Sequence, residues 1–104
     1  MEISKSDWKL FRARIAEWKE NYMERLVKEY IYMLNGTGNA SDKFWKLEER
    51  IKKDKKHPGV MLELSKGNMI FDIAYFVRDK VITMDELEGF SKDLIEAVKL
   101  ILSR

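Results

Sequence analysis

The feature that most constrains the fold is a stripe of apolar residues that recurs at steps of three and four positions. Its members are Trp8, Phe11, Ile15, Trp18, Tyr22, Leu26, Tyr30 and Met33. This spacing places them all on one side of an α-helix, which completes a turn about every 3.6 residues. Ser4 precedes the stripe as an N-cap, and Asn35-Gly36 follows it as a stop, with Gly36 suited to the left-handed conformation. The pattern predicts one continuous helix over residues 5–34.

Val27, Ile31 and Leu34 widen the stripe near its end. This widening predicts that the C-terminal half of the helix is more deeply buried than the N-terminal half. A 30-residue helix is about 45 Å long, whereas a compact domain of this size has a radius of gyration near 13 Å. The helix must therefore act as a spine for shorter helices or extend into a partner, and both arrangements are compatible with a homodimer.

Three further helices are predicted. A second helix over residues 40–55 has Asn39 as its cap, Pro58 beyond its end and an apolar stripe of Ala40, Phe44, Leu47 and Ile51. A third helix over residues 59–79 is expected to bend at Gly67-Asn68, and its second half is expected to be the most buried part of the chain. A fourth helix is predicted to begin at the capping box Thr83-Met84-Asp85-Glu86. Its apolar face consists of Leu87, Phe90, Leu94, Val98 and Ile101.

Composition agrees with a helical chain, because there are only one proline and five glycines among 104 residues and 45% of the residues are hydrophobic. We predict a single all-α domain over residues 1–104, a compact bundle of four helices with a long first helix. There is no cysteine, which excludes disulfides and thiolate chemistry. The N-terminus does not resemble a signal peptide and no apolar run is long enough to span a bilayer. We therefore expect a cytoplasmic protein without a membrane partner.

No constellation of residues indicates catalysis, a cofactor or a metal. The segment from Asp79 to Leu87 resembles the exit half of a calcium-binding EF-hand. Alignment of Ile82 on the hydrophobic eighth loop position, however, places Tyr75 and Val77 where oxygen ligands are needed and Lys80 where glycine makes the turn. His57 is the only histidine, and no carboxylate or nucleophile is visibly placed beside it. Asp72 lies within an apolar run, where a buried carboxylate bonded to Tyr or Lys is expected. The sequence predicts a protein that is not an enzyme and holds no cofactor.

A partner-binding surface is predicted on the second helix and the basic turn after it. Trp45 projects about 100° away from the core residue Phe44, so it either packs under the first helix or anchors an interface. Tyr32, Met61 and Met84 are weaker candidates of the same kind. The candidate binding residues are Trp45, Lys52, Lys53, Lys55 and Lys56. An aromatic anchor beside a basic rim suits an acidic protein partner, while weak, non-specific nucleic-acid binding is the alternative.

Three segments resemble a group of small, largely uncharacterised helical proteins of gut Firmicutes, which often occur on phage or mobile elements. The segments are Ser41 to Ile51, Lys55 to Val60, and Asp79 to Ile82 with Asp85-Glu86-Leu87. The resemblance covers nearly the whole chain, but it rests on helix caps and core residues. It implies a small accessory factor, for which an inhibitor of a host defence complex such as Cas9 is one candidate, and it assigns no functional residues.

Overall fold

The computed structural model describes residues 3–104, and within that range it contains helices and turns but no strand. The four α-helices are α1 (Lys5–Leu34), α2 (Ala40–Asp54), α3 (Met69–Arg78) and α4 (Lys92–Leu102). Two short 3-10 helices, Lys66–Asn68 and Met84–Leu87, precede α3 and α4. The prediction of an all-α fold with four helices and a long first helix is confirmed.

Helix α1 begins and ends at the predicted residues. The Ser4 hydroxyl accepts a hydrogen bond from the Asp7 backbone N–H at 3.1 Å, which satisfies one of the free donors of the first turn. At the other end the Asn35 N–H donates to the Ile31 carbonyl at 3.0 Å. The left-handed residue of the turn into α2 is Gly38, with a φ of 125°, and not Gly36 as predicted.

The first two thirds of α1 pack against α3 and α4 to form what we call the head (residues 3–22 and 59–104). Trp18 is its aromatic centre, with the rings of Phe11, Phe76 and Phe90 between 6.0 and 6.3 Å away. The Asp7 carboxylate accepts hydrogen bonds from the backbone N–H (2.8 Å) and hydroxyl (2.5 Å) of Ser91, the N-cap of α4. This buried carboxylate therefore joins the start of α1 to the start of α4.

The third and fourth helices are shorter than predicted. Residues 59–65 form a turn and an extended stretch, and α3 begins only at Met69. Gly67 and Asn68 belong to the 3-10 helix that leads into α3, so the predicted bend within one long helix is wrong. The second half of the predicted helix is deeply buried, as expected.

The capping box at Thr83 is present, with Glu86 accepting from the Thr83 N–H at 2.6 Å, but it starts only the 3-10 turn. Gly89, with a φ of 99°, prevents the 3-10 helix from continuing directly into α4. The predicted apolar face spans both pieces, and Leu87, Phe90, Leu94 and Val98 are all buried.

The molecule is elongated, with principal extents of 52 × 23 × 21 Å and a radius of gyration of 16.4 Å. The reason is that α3 and α4 cover only the N-terminal part of α1. The remainder of α1 continues past the head and is accompanied only by α2. We call this two-helix projection the arm (residues 23–56). Helix α1 is thus a spine that the head and the arm share.

Candidate interaction surface

A polar network holds the two helices of the arm together. Tyr30 donates a hydrogen bond to the Asp54 carboxylate at 2.5 Å, and the Arg50 guanidinium lies 2.9 Å from the same carboxylate and 2.8 Å from Glu29. Burial and the hydrogen bond to Asp54 raise the pKa of Tyr30 to about 12. Asp54 itself is 9% exposed, so these donors compensate a carboxylate that has lost most of its water.

His57 fixes the junction between the arm and the head. Its ring stacks on Tyr22 at 4.2 Å, and the Gly59 N–H donates to Nδ1 at 2.9 Å. Since Nδ1 accepts, the proton of the neutral ring lies on Nε2, which donates to the Asp79 carboxylate at 2.7 Å. Hydrogen bonds from Arg78 and then from His57 hold the pKa of Asp79 below its usual range.

The sequence places no carboxylate visibly beside His57, but folding brings Asp79 to it from 22 positions along the chain. Both ring nitrogens are engaged in holding the junction, so the imidazole is not free to act as a base. The role of this pair in the structure is to position the arm.

One face of the arm is apolar and exposed. The exposed fractions are 48% for Val27, 53% for Ile31 and 39% for Leu34 on α1, and 62% for Phe44 on α2. The prediction that the C-terminal half of α1 is more deeply buried is therefore wrong, as is the assignment of Phe44 to a core stripe. The physical reason is that a single helix, α2, covers this part of α1 and leaves the widened stripe facing solvent.

The helix geometry places these residues on the same side of the arm. The Glu29–Arg50 ion pair marks one side of the contact line between α1 and α2. At 100° per residue, Val27 and Ile31 lie on the opposite side of α1. In an antiparallel pair, Phe44 and the half-buried Ile51 lie on that opposite side of α2 as well. We call this surface the apolar face of the arm: Met23, Val27, Ile31, Leu34, Phe44, Leu47 and Ile51.

The apolar face is large for a chain of this size. Side chains of this type that are about half exposed leave roughly 500 Å² of apolar surface in contact with water, a patch size that is often functional. Phe44, Leu47 and Ile51 line a shallow groove whose outer edge is formed by Glu48, Lys52 and Lys55. The α2 border of the face is therefore predominantly basic.

Trp45 lies on the surface. It is 63% exposed and its ring meets the Phe44 ring edge to face at 5.0 Å. It does not pack under α1, so the first of the two placements considered from the sequence is wrong. The Phe44–Trp45 pair presents two large aromatic rings to solvent at the edge of the apolar face.

The four candidate lysines are exposed but do not share one surface. Lys52 and Lys55 border the groove of the apolar face, and Lys52 lies 3.3 Å from Glu48. Lys53 projects to the other side of α2 at 100° per residue, and Lys56 follows the helix in the turn. The sequence prediction thus includes Lys52 and Lys55 at the border of the groove and the neighbouring Trp45, but it does not place Val27, Ile31 or Phe44 on the surface. The periodicity of these residues predicts a buried stripe. No local feature of the sequence shows that this part of the arm lacks a further helix to cover the stripe.

The weaker aromatic and methionine candidates are scattered. Tyr32 is 84% exposed and lies on the polar side of the arm with Glu29 and Arg50, while Met61 is exposed in the stretch before α3. Met84 is half-buried against the head. None of the three joins the apolar face of the arm.

Among residues 3–104, Asp72 is a buried carboxylate, 8% exposed, and no donor reaches its Oδ2. The expected bond with Tyr or Lys is therefore wrong for this oxygen. Burial raises the pKa of Asp72 to about 6. Since no donor compensates the charge on Oδ2, ionised Asp72 destabilises the folded state.

The described residues contain no group of three or more histidine, aspartate or glutamate side chains arranged to hold a metal ion. Lys80 does take a left-handed turn, with a φ of 60°, but Tyr75 and Val77 offer no calcium ligands. Among the helices described, none is both long and apolar enough to cross a membrane.

Comparison of the chain with protein-family models, with curated proteins and with solved structures found no match.

Proposed function

We propose that this protein is a non-enzymatic binding module whose arm docks an amphipathic helix of a partner protein. The observation that carries the proposal is the apolar face of the arm, in which α1 exposes Val27, Ile31 and Leu34, and α2 exposes Phe44 beside the half-buried Leu47 and Ile51. Apolar side chains on two adjacent antiparallel helices can receive the apolar stripe of a third helix. Exposed apolar patches of this size often mark an interaction site.

Charge at the groove's edge indicates the chemistry of the partner helix. Lys52 and Lys55 border the groove on the α2 side, so a helix with acidic residues along that flank would approach favourably. Such rim charges steer association more than they add affinity. Trp45, exposed beside Phe44, supplies an aromatic anchor of the kind that dominates binding energy in many interfaces.

The nature of the partner rests on the resemblance described above. If the chain is an accessory factor of a phage or mobile element, its partner belongs to the host, and a defence complex such as Cas9 is the candidate. The alternative function, weak and non-specific nucleic-acid binding, is less well supported. The four lysines diverge around α2, so they present no continuous basic track for a phosphate backbone.

Photo-crosslinking in host cells tests the proposal. A benzophenone amino acid is placed at Ile31 or at Phe44 on the apolar face, and at Tyr32 on the polar side of the same arm as the matched control. We expect one and the same protein to crosslink from Ile31 and from Phe44 but not from Tyr32. Crosslinking from Tyr32 alone, or from none of the three positions, would contradict the proposal.

A second step tests the basic border. Lys52→Glu with Lys55→Glu should reduce crosslinking from Phe44 and slow association, whereas Lys53→Glu with Lys56→Glu should have a smaller effect because these two lysines do not line the groove. Equal effects of the two pairs would show that only overall charge matters.

A further inference from the structure

The outer side of α1, opposite the head, carries an unusual charge pattern. Its exposed basic residues all lie in the first part of the helix, and its exposed acidic residues follow them. The basic residues are Lys5, Lys9 and Arg12, and the acidic residues are Glu17, Glu20 and Glu24. Most of these side chains fall within about one third of the helix circumference at 100° per residue, and the head packs on the other side.

Within one chain this pattern brings like charges together. Lys5 and Lys9 are four residues apart, as are Glu20 and Glu24, and like charges at this spacing destabilise an isolated helix. Among the described residues, the only ion pair that any of these side chains makes is between Glu24 and Lys28, at 3.5 Å and largely exposed. An exposed pair of this type contributes little, so it leaves Glu24 available to another cation.

Two alanines separate the basic block from the acidic block on the same side. Ala13 and Ala16 are both exposed. Small side chains at this point allow a second helix to approach α1 closely, while the long charged side chains on either side reach across to it.

We propose that a second copy of this chain pairs with α1 in the antiparallel direction along this outer side. In an antiparallel two-fold pair, residues placed symmetrically about one point of the helix face each other in both directions. Symmetry about the peptide bond between Arg14 and Ile15 places the basic block of one helix level with the acidic block of the other. The residues at equal height are Lys5 and Glu24, Lys9 and Glu20, Arg12 and Glu17, and Ala13 and Ala16. At 100° per residue, Lys9 and Glu20 point most directly at the partner helix, and the other charged residues flank them.

The register is specific to the antiparallel direction. A parallel pair in register would set the basic block beside the basic block and the acidic block beside the acidic block. The antiparallel pair leaves most of the apolar face of each arm free, because residues 27–34 extend beyond the start of the partner's helix and only Met23 lies level with it. The dimer would therefore carry two arms at opposite ends, and it does not depend on the docking function proposed above.

Sedimentation equilibrium of the purified chain tests the dimer. At roughly 0.01 M salt, where charges interact over about 30 Å, we expect a mass of twice the 12.4 kDa of one chain. At roughly 1 M salt, where the range is about 3 Å, we expect the mass of one chain. A single-chain mass at low salt and high protein concentration would overturn the proposal.

Charge reversal supplies the specific control. Lys5→Glu with Lys9→Glu, and separately Glu20→Lys with Glu24→Lys, should each be monomeric, because each leaves five of the six charged residues on the outer side of α1 with the same sign. An equimolar mixture of the two variants should restore the dimer, since opposite charges then face each other in both halves. The control pair Lys66→Glu with Lys92→Glu, on the head, should remain dimeric.

Three results would overturn the proposal. The first is a dimer that survives either reversal, and the second is a mixture of the two variants that stays monomeric. The third is a dimer that is lost on changing Ile31 and Phe44 to Gln, because self-association would then use the apolar face of the arm. Circular dichroism of each variant verifies that the helices are intact.

Discussion

The head and the arm are built on the same helix but are stabilised in opposite ways. In the head, Phe11 and Phe76 are completely buried, and aromatic rings surround Trp18. In the arm, the helices are joined by the Tyr30–Asp54–Arg50 network while Ile31 and Phe44 face water. The difference shows that an apolar stripe marks a side that can be covered, and that the number of neighbouring helices decides whether it is covered.

A matched pair of phenylalanines gives the largest expected difference. Phe76→Ala in the head should lower the free energy of unfolding by about 3–5 kcal/mol, the range for a buried Phe. Phe44→Ala in the arm should lower it by less than about 1 kcal/mol, as for most surface changes. Urea unfolding of both variants provides the measurement, and similar losses would contradict the contrast between head and arm.

Asp72 is predicted to weaken the head at neutral pH. Its pKa is about 6 in the folded protein against 3.8 for the ordinary carboxyl group, so the folded state binds the proton more tightly than the unfolded state does. The cost is fully present above about pH 6 and is relieved as the pH falls toward 4. Removal of the charge by Asp72→Asn should therefore raise stability at pH 7.5, by roughly 1–3 kcal/mol.

The pH profile is the control for Asp72. The parent protein should gain stability between pH 7 and pH 5, and Asp72→Asn should lose most of that gain. If Asp72→Asn keeps the full pH dependence of stability, another titratable group causes it. Ionisation of Asp72 would then not lower the free energy of unfolding.

The Tyr30 hydrogen bond should stabilise the arm and not the head. Tyr30→Phe removes the donor to Asp54, and loss of a bond to a charged group costs about 1.5–3 kcal/mol. Hydrogen exchange should accelerate in α2 before it does in α3 and α4, because the head does not depend on this contact. Uniform acceleration over all four helices would show that the arm and head unfold as one unit.

Tyrosine ionisation gives an independent readout of the same contact. The pKa of Tyr30 is about 12 against the usual 10.0, so the folded state disfavours the phenolate. The stabilising contact is present below pH 10 and is lost as the pH rises toward 12. An ultraviolet titration should find one tyrosine of the parent that ionises last, and that tyrosine should be missing in Tyr30→Phe.

Trp45→Ala should have the smallest effect on stability. The side chain is 63% exposed, so the free energy of unfolding should change by less than about 1 kcal/mol, while crosslinking from Phe44 to the partner should fall sharply. Loss of stability in the range for a buried Trp would mean that the ring is covered in solution.

Much of the backbone could be predicted from the sequence, because caps and apolar periods are local signals. Ser4 and Asn39 cap the helices that follow them, and the bounds of α1 are those expected. The start of α3 was misplaced because Met61, Leu62 and Leu64 are good helix formers, yet only Leu62 of these packs against the core. The residues next to these three give no indication in the sequence that the stretch before α3 is extended.

The surface was harder to predict than the helices. Trp45 lies outside the apolar stripe of α2, so the sequence identifies it as a candidate for the surface. Ile31 continues the apolar stripe of α1, so the sequence predicts that it is buried. The contact of His57 with Asp79 joins residues far apart in the sequence, so no spacing rule reveals it. Local sequence patterns do not reveal that α3 and α4 cover only the first two thirds of α1.

The apolar face of the arm is open to solvent in the isolated chain. The free energy of unfolding of the triple variant Val27→Gln, Ile31→Gln and Phe44→Gln measures this exposure, because glutamine keeps good helix propensity at each position. We expect a change of less than about 1 kcal/mol, together with weaker binding of an apolar dye. A loss of more than about 3 kcal/mol, as for buried side chains, would contradict it.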